Sequence, residues 1–74
     1  MTFAEFIVDV TQGFSRPGHE QRYGQFCFNR LHEIHPNIAN SICGTAYDPF
    51  YATEYDDPRI IDFWAKVQVM WPAE

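Results

Sequence analysis

Pro36 is the residue that most constrains the fold, because it interrupts a pattern that is otherwise helical. Tyr23, Cys27 and Leu31 are four residues apart, a spacing that places them on one face of a helix. The residue before a proline is pushed out of helical geometry, so this helix is predicted to end at His35. Pro36 itself suits the first turn of the next helix. The centre of the chain is therefore predicted to hold two helices with a break between them.

The segments on either side of this centre also carry helix signals. Thr2 and Glu5 form a predicted capping box, in which each side chain bonds the other residue's backbone N–H. Gly13 is predicted to end this first helix. Asp57 and Pro58 place a capping acid before a first-turn proline and start the last helix. Together these signals predict four helices, near residues 2–13, 20–35, 36–43 and 58–71, the second starting between His19 and Arg22.

These patterns predict an all-α fold, a single helical domain over residues 1–74 with three main helices and one or two short ones. The second short element would be one helical turn from Asp48 to Tyr51. Gly24 lies inside a predicted helix, which indicates close approach by another segment. The core of so short a chain is marginal unless its residues are large, and aromatic residues make up 18% here. The predicted core is Phe6, Val10, Leu31, Ile38, Ile42, Phe63, Trp64 and Val67.

Charge is distributed unevenly along the chain, which has a net charge of −5. Residues 1–44 hold four acidic and three basic side chains, whereas residues 45–74 hold six acidic and two basic ones. An acidic surface repels a phosphate backbone, so no direct nucleic-acid binding is expected. Two interpretations stay open: the acidic half keeps the protein soluble, or it faces a basic partner.

The sequence also predicts where the protein works. No apolar run approaches the roughly 20 residues of a membrane span, and residues 1–14 do not look like a signal peptide. We therefore expect no membrane association and an intracellular location. In that compartment Cys27 and Cys43 are expected to be free thiols, both buried.

Catalytic and metal-binding motifs are weak. His32 and His35 share a face if helical, and zinc binds histidine and thiolate. His35 lies at the proline break, however, and no Cys-x-x-Cys motif is present. A metal-binding domain is therefore the third hypothesis, and neither metal nor cofactor is expected. Asp48 and Asp57 are explained by helix capping, so the chain is predicted not to be an enzyme.

The more informative signal is a surplus of apolar side chains outside the predicted core. Several of them stand among acids in segment 48–62, which predicts a surface that binds a basic host protein. The residues assigned to this surface are Asp48, Phe50, Tyr51, Glu54, Tyr55, Asp56, Asp57 and Asp62. The alternative is a homo-oligomeric structural or assembly protein that uses Phe28, Ile61 and Val69, which lie off the core faces of their helices. The structural explanation is that the loop aromatics cover the core.

A dispersed pattern links the chain to a known group. The pattern consists of Arg22-Tyr-Gly-Gln, Phe28-Asn-x-Leu31, Pro36-x-x-Ala39, Ile42-x-Gly44-Thr45, Asp48-Pro49-Phe50-Tyr51 and Asp57-x-Arg59. It resembles small acidic proteins of bacteriophages and prophages. The resemblance implies a mobile-element origin, a location in the cytoplasm of a bacterial host and a partner that is a host protein. It carries over no catalytic residue. By analogy, small acidic phage proteins bind and inhibit host machinery, including by mimicking the charge of DNA.

Overall fold

Four helices make up the computed structural model, which describes residues 1–18 and 20–73. In chain order they are α1 (Phe3–Ser15), α2 (Tyr23–Ile34), α3 (Pro36–Ile42) and α4 (Pro58–Met70). No strand occurs among the described residues, so the predicted all-α class is confirmed. Within this part of the chain, α3 has 7 residues and the other three helices have 12 or 13.

The capping box at the start of α1 is confirmed, but the predicted end of that helix is wrong. The Glu5 backbone N–H donates to Thr2 Oγ1 at 3.1 Å, and the Thr2 N–H donates to the Glu5 carboxylate at 2.8 Å. Helix α1 continues past Gly13 to Ser15. A Cβ atom at Gly13 would lie only 2.8 Å from Cζ of Phe26, so the glycine gives room to a ring from α2. Gly13 therefore serves helix packing and not termination.

The break between α2 and α3 lies where the sequence predicted it. Helix α2 ends at Ile34 and α3 begins at Pro36, while His35 between them has φ −134° and ψ 76°. The start of α2 is later than the predicted 20–35, because Arg22 has extended backbone with ψ 155° and acts as the N-cap. His19, the earliest predicted start, lies outside the described residues.

The hydrophobic core forms where all four helices meet. Seven of the eight predicted core residues are buried, and the eighth, Trp64, is only half-buried. Trp64 lies at the edge of the α4 core face, where its ring packs against Phe6 with centroids 5.6 Å apart. The buried hydrophobic residues are Phe6, Val10, Cys27, Leu31, Ile38, Ala39, Ile42, Ala52, Ile60, Phe63 and Val67.

One end of the core consists of rings from α1 and α4, which we call the aromatic cluster: Phe3, Phe6, Trp64 and Trp71. Phe6 stacks on Trp71 at 5.1 Å, and Phe3 meets the edges of both tryptophans at 5.8–6.0 Å. Such pairs contribute about 0.5–1.5 kcal/mol each beyond the area they bury. The aromatic cluster therefore fixes α4 against α1, although the two helices are far apart in sequence.

Candidate protein-binding surface

Segment 48–62, the predicted partner-binding surface, begins with a tight turn after α3. The Asp48 carboxylate accepts hydrogen bonds from the backbone N–H of Gly44 at 2.8 Å and of Phe50 at 3.0 Å. The Ala52 N–H then donates to the Pro49 carbonyl at 2.8 Å. The predicted helical turn from Asp48 to Tyr51 is thus a hydrogen-bonded turn and not a helix.

This turn is fixed to α2 through backbone contacts at Gly24. The Gly24 N–H donates to the Ala52 carbonyl at 2.9 Å. A Cβ atom at this position would lie 1.8 Å from the Pro49 carbonyl oxygen, so only glycine fits. Pro49 and Ala52 are themselves fully buried. The close approach predicted from a glycine inside a helix is therefore confirmed, and the segment that approaches is the 49–52 turn.

Arg22 holds the same turn from outside. Its guanidinium lies 5.4 Å from the ring centroids of both Phe50 and Tyr51, and its Nε donates to the Phe50 carbonyl at 3.4 Å. Cation–π contacts of this kind stabilise exposed sites by about 0.5–1 kcal/mol each. Arg22, which is the N-cap of α2, therefore ties the turn to the start of that helix.

The predicted partner-binding residues divide into exposed and engaged side chains. Tyr51 and Tyr55 are 73% and 75% exposed. Phe50 is half-buried, because its edge packs against Phe28 with centroids 6.1 Å apart. Three acids of the segment are exposed and form no ion pair with another described residue: Glu54, Asp56 and Asp62.

The other two acids of segment 48–62 have structural tasks. Asp48 shapes the turn, as described above. Asp57 caps α4 by accepting from the Arg59 backbone N–H at 2.9 Å, and it pairs with the Arg59 guanidinium at 2.9 Å. The hydrogen bonds from the Arg59 side chain and backbone lower the pKa of the Asp57 carboxyl. Of the predicted charged residues, Glu54, Asp56 and Asp62 are those free to meet a partner.

The alternative oligomer residues also differ in their surroundings. Phe28 packs against the core and against Phe50 in the 49–52 turn. Ile61 and Val69 are 60% and 81% exposed on the outer side of α4. Of the three residues of the predicted oligomer contact, Phe28 is therefore engaged in packing, whereas Ile61 and Val69 are exposed.

The described histidine and cysteine side chains differ in their surroundings. His32 is exposed, whereas the His35 ring packs against Trp71 with centroids 4.4 Å apart. Cys27 is buried, and burial raises the pKa of its thiol to about 12. Cys43 is exposed, so the expectation that both thiols are buried was wrong. Among residues 1–18 and 20–73, no group of three or more histidine, cysteine or acidic side chains could hold a metal ion.

Sequence reasoning missed Arg22 as part of this surface. Its contacts with Phe50 and Tyr51 join residues 28 and 29 positions apart in the chain, and no local pattern encodes such a pairing. The Gly24 signal did reveal that a segment approaches α2, but it did not identify that segment.

Comparisons with known proteins add no family assignment. No family model matches the chain, and neither a curated protein nor a solved structure matches it. Within the described residues, the helices are too short or too polar to cross a membrane.

Proposed function

We propose that this chain is a non-enzymatic interaction protein that binds a basic surface of a host protein through segment 48–62. The observation that carries the proposal is the exposure of Tyr51 and Tyr55, at 73% and 75%, with Tyr51 on a turn whose backbone is fixed to α2. Large exposed aromatic side chains at fixed positions are typical anchors of protein interfaces.

The contacts that fix the turn favour binding, because the backbone of the turn does not have to become ordered when a partner associates. Pro49 and Ala52 are buried against Gly24, so the backbone that carries Tyr51 is already in place before a partner arrives. Association normally costs about 0.5–1.5 kcal/mol for each side chain that becomes ordered, together with the ordering of loops. A fixed turn avoids much of the loop contribution.

The exposed acids give the surface its partner preference. Glu54, Asp56 and Asp62 belong to the same segment as the tyrosines, and none of them forms an ion pair with another described residue. Complementary charge raises association rates and suppresses wrong partners. A partner with clustered Lys and Arg, as in proteins that bind nucleic acids, fits this surface, while nucleic acid itself is repelled. From the resemblance to small acidic phage proteins, we expect such a partner in the bacterial cytoplasm.

The test combines affinity capture with binding kinetics. The captured partner is measured against wild-type protein and the double variant Glu54→Gln/Asp56→Asn at several salt concentrations. We expect the variant to associate more slowly, with a weaker salt dependence, because charge mainly sets the association rate. Tyr51→Ala should instead shorten the lifetime of the complex.

A matched control removes the same amount of charge elsewhere. Glu20→Gln/Glu33→Gln neutralises two exposed acids outside segment 48–62 and should leave the association rate close to wild type. If both double variants slow binding equally, the effect belongs to the net charge and segment 48–62 is not the interface.

A second candidate is self-association through α4. Ile61 and Val69 are exposed, and each is four residues from the exposed Ala65. Residues four apart form a ridge on a helix. A two-fold axis at Ala65 would therefore place Ile61 of one copy against Val69 of the other in an isologous contact.

The mass in solution tests this candidate. A dimer that Val69→Glu converts to a monomer would support it, and Val8→Glu, at a residue 52% exposed on α1, is the matched control. A wild-type protein that stays monomeric at millimolar concentration would exclude it.

A further inference from the structure

A groove lies beside the acidic turn, between the end of α1 and residues 53–55. Its volume is about 410 Å³, and it is open to solvent along one side. The residues that line it are Thr11, Phe14, Ser15, Tyr23, Thr53, Glu54 and Tyr55. The groove thus joins two of the exposed residues of segment 48–62 to a part of α1 for which no role has been described above.

Aromatic rings form much of the groove. Phe14 and Tyr23 pack edge to face, with centroids 5.0 Å apart and an interplanar angle of 85°. Both are half-buried, so each leaves part of its ring accessible, and Tyr55 adds a ring that is 75% exposed. Ring faces carry a partial negative charge and attract cations.

The polar atoms along the α1 side of the groove are hydrogen-bond acceptors. The Thr11 hydroxyl donates its hydrogen to the Ile7 carbonyl at 2.8 Å, and the Ser15 hydroxyl donates to the Thr11 carbonyl at 2.8 Å. Because each hydroxyl hydrogen is already used, the oxygen has only lone pairs to offer a ligand. These two side chains therefore favour a ligand that donates.

The charge of the groove also favours a cationic ligand that donates hydrogen bonds. Glu54 supplies a carboxylate, and none of the described residues that line the groove is basic. Aromatic faces, hydroxyl acceptors and a carboxylate together fit a cationic group with several donors.

We propose that this groove accepts the side chain of an arginine from the basic partner. A guanidinium is planar and stacks on aromatic rings, and its five N–H donors suit a groove whose polar side chains, Thr11, Ser15 and Glu54, are acceptors. A lysine ammonium offers three donors and is more strongly hydrated. This proposal rests on the proposed function and specifies which side chain of the partner enters and where.

The groove can be tested without knowing the partner. NMR spectra of the ¹⁵N-labelled protein are recorded with N-acetyl-arginine amide and with the citrulline analogue, which has nearly the same shape but no charge. We expect the arginine derivative to bind with millimolar affinity and to shift the resonances of Thr11, Ser15, Glu54 and Tyr55. The citrulline analogue should bind at least about fivefold more weakly, since the cation–π and ionic contributions are lost.

Three variants examine separate features of the groove. Tyr55→Leu removes a ring but keeps an apolar side chain, and we expect about two- to fivefold weaker binding of the arginine derivative. Glu54→Gln removes the charge at constant shape, and Thr11→Val removes one acceptor at constant shape, so each should weaken binding about twofold or more. Val8→Ala, at an exposed residue of α1 outside the groove, should leave the affinity unchanged.

The outcomes separate this inference from the proposed function. Equal binding of arginine and citrulline, or shifts spread over all acidic residues, would overturn the groove proposal, and equal binding of a lysine derivative would overturn its assignment to arginine. Thr11→Arg, which fills the groove, should lower partner affinity at least tenfold. If it does not, while Tyr51→Ala still weakens the complex, the groove proposal fails and the proposed function stands. If neither variant affects the partner, the proposed function fails as well.

Discussion

The aromatic cluster and the 49–55 turn are both rich in aromatic side chains, but they place them differently. In the aromatic cluster Phe6 is fully buried and stacks on Trp71 at 5.1 Å. In the turn the fully buried residues are the small ones, Pro49 and Ala52, while Tyr51 is 73% exposed. The first region thus packs its rings against one another around the buried Phe6, whereas the second region buries its small residues and leaves Tyr51 exposed.

The difference follows from how each region packs against the helices: the aromatic cluster lies between α1 and the end of α4, and the turn packs against α2. Two helices with apolar stripes leave space between their axes that large side chains fill. The turn instead approaches α2 at Gly24, where its backbone comes so close that no side chain fits between. Its rings must therefore lie outside, apart from Phe50, which reaches Phe28. An aromatic residue in this protein stabilises the fold in the first region and is available to a partner in the second.

The largest effect is expected from removing a ring inside the core. Phe63 is fully buried, and Phe63→Ala should lower the free energy of unfolding by about 3–5 kcal/mol. Domains of this length are stabilised by only about 4–11 kcal/mol, so the variant should be close to unfolding. Urea denaturation followed by circular dichroism measures the change. Phe63→Leu, which keeps most of the apolar volume, should lose less, and equal losses for the two variants would contradict a tightly packed ring at this position.

The next largest effect tests the backbone contact of the turn. Gly24→Ala would place a Cβ atom 1.8 Å from the Pro49 carbonyl and 2.9 Å from that of Ala52, so the turn must move. Overpacking of this kind costs about 1–3 kcal/mol or more. Gly13→Ala is the matched control, because its Cβ would meet only the end of the Phe26 ring, and the gain of about 1 kcal/mol in helix propensity offsets the contact. Equal melting temperatures for the two variants would remove the physical basis of the fixed turn.

A moderate effect is expected at alkaline pH, in the core between the two regions. Burial raises the pKa of the Cys27 thiol from 9.0 to about 12 and that of Tyr23 from 10.0 to about 12. Below pH 9 the thiol is protonated in the folded and unfolded states alike and its contribution is constant. Between the unfolded and folded pKa values only the unfolded state ionises, so stability falls as pH rises. The loss is at most about 1.4 kcal/mol per pH unit for Cys27, and it is smaller for Tyr23, which is only half-buried and therefore partly screened by solvent.

Melting temperatures measured from pH 7 to 11 check this prediction. They should be flat from pH 7 to 8 and should fall from about pH 9 onward. Cys27→Ala should delay the fall until Tyr23 begins to ionise, near pH 10 in the unfolded chain. An unchanged pH profile in this variant would show that the thiol is not shielded from water in the folded state.

The smallest effect on stability is expected in the turn itself. Tyr55→Ala removes an exposed ring and should change the free energy of unfolding by less than about 0.5 kcal/mol. Tyr51→Ala also removes the contact with Arg22 and should cost about 0.5–1 kcal/mol. Trp64→Ala, the comparable change in the aromatic cluster, should cost at least about 2 kcal/mol. Thermal melts of the three variants give the comparison directly. If Tyr51→Ala melts as early as Trp64→Ala, the turn aromatics belong to the core and are not free for a partner.

Local signals in the sequence determined most of the helices. The Thr2 and Glu5 capping box, the Pro36 break and the Asp57 cap act on neighbouring residues, so they can be read directly from the chain. The apolar stripes likewise predicted the core, except for the half-buried Trp64. The glycine inside α2 predicted a close approach correctly, because a missing side chain is itself a local feature.

Only the tertiary structure decided which segments meet and which side chains remain exposed. Gly13 was predicted to end a helix but makes room for Phe26. The segment after Asp48 was predicted to be helical but is a turn, in which the carboxylate accepts hydrogen bonds from the backbone N–H groups of Gly44 and Phe50. The Arg22 contacts and the groove beside Tyr55 join parts of the chain that are 28 or more residues apart. Contacts of that range depend on how whole helices pack, and spacing along one helix does not encode them.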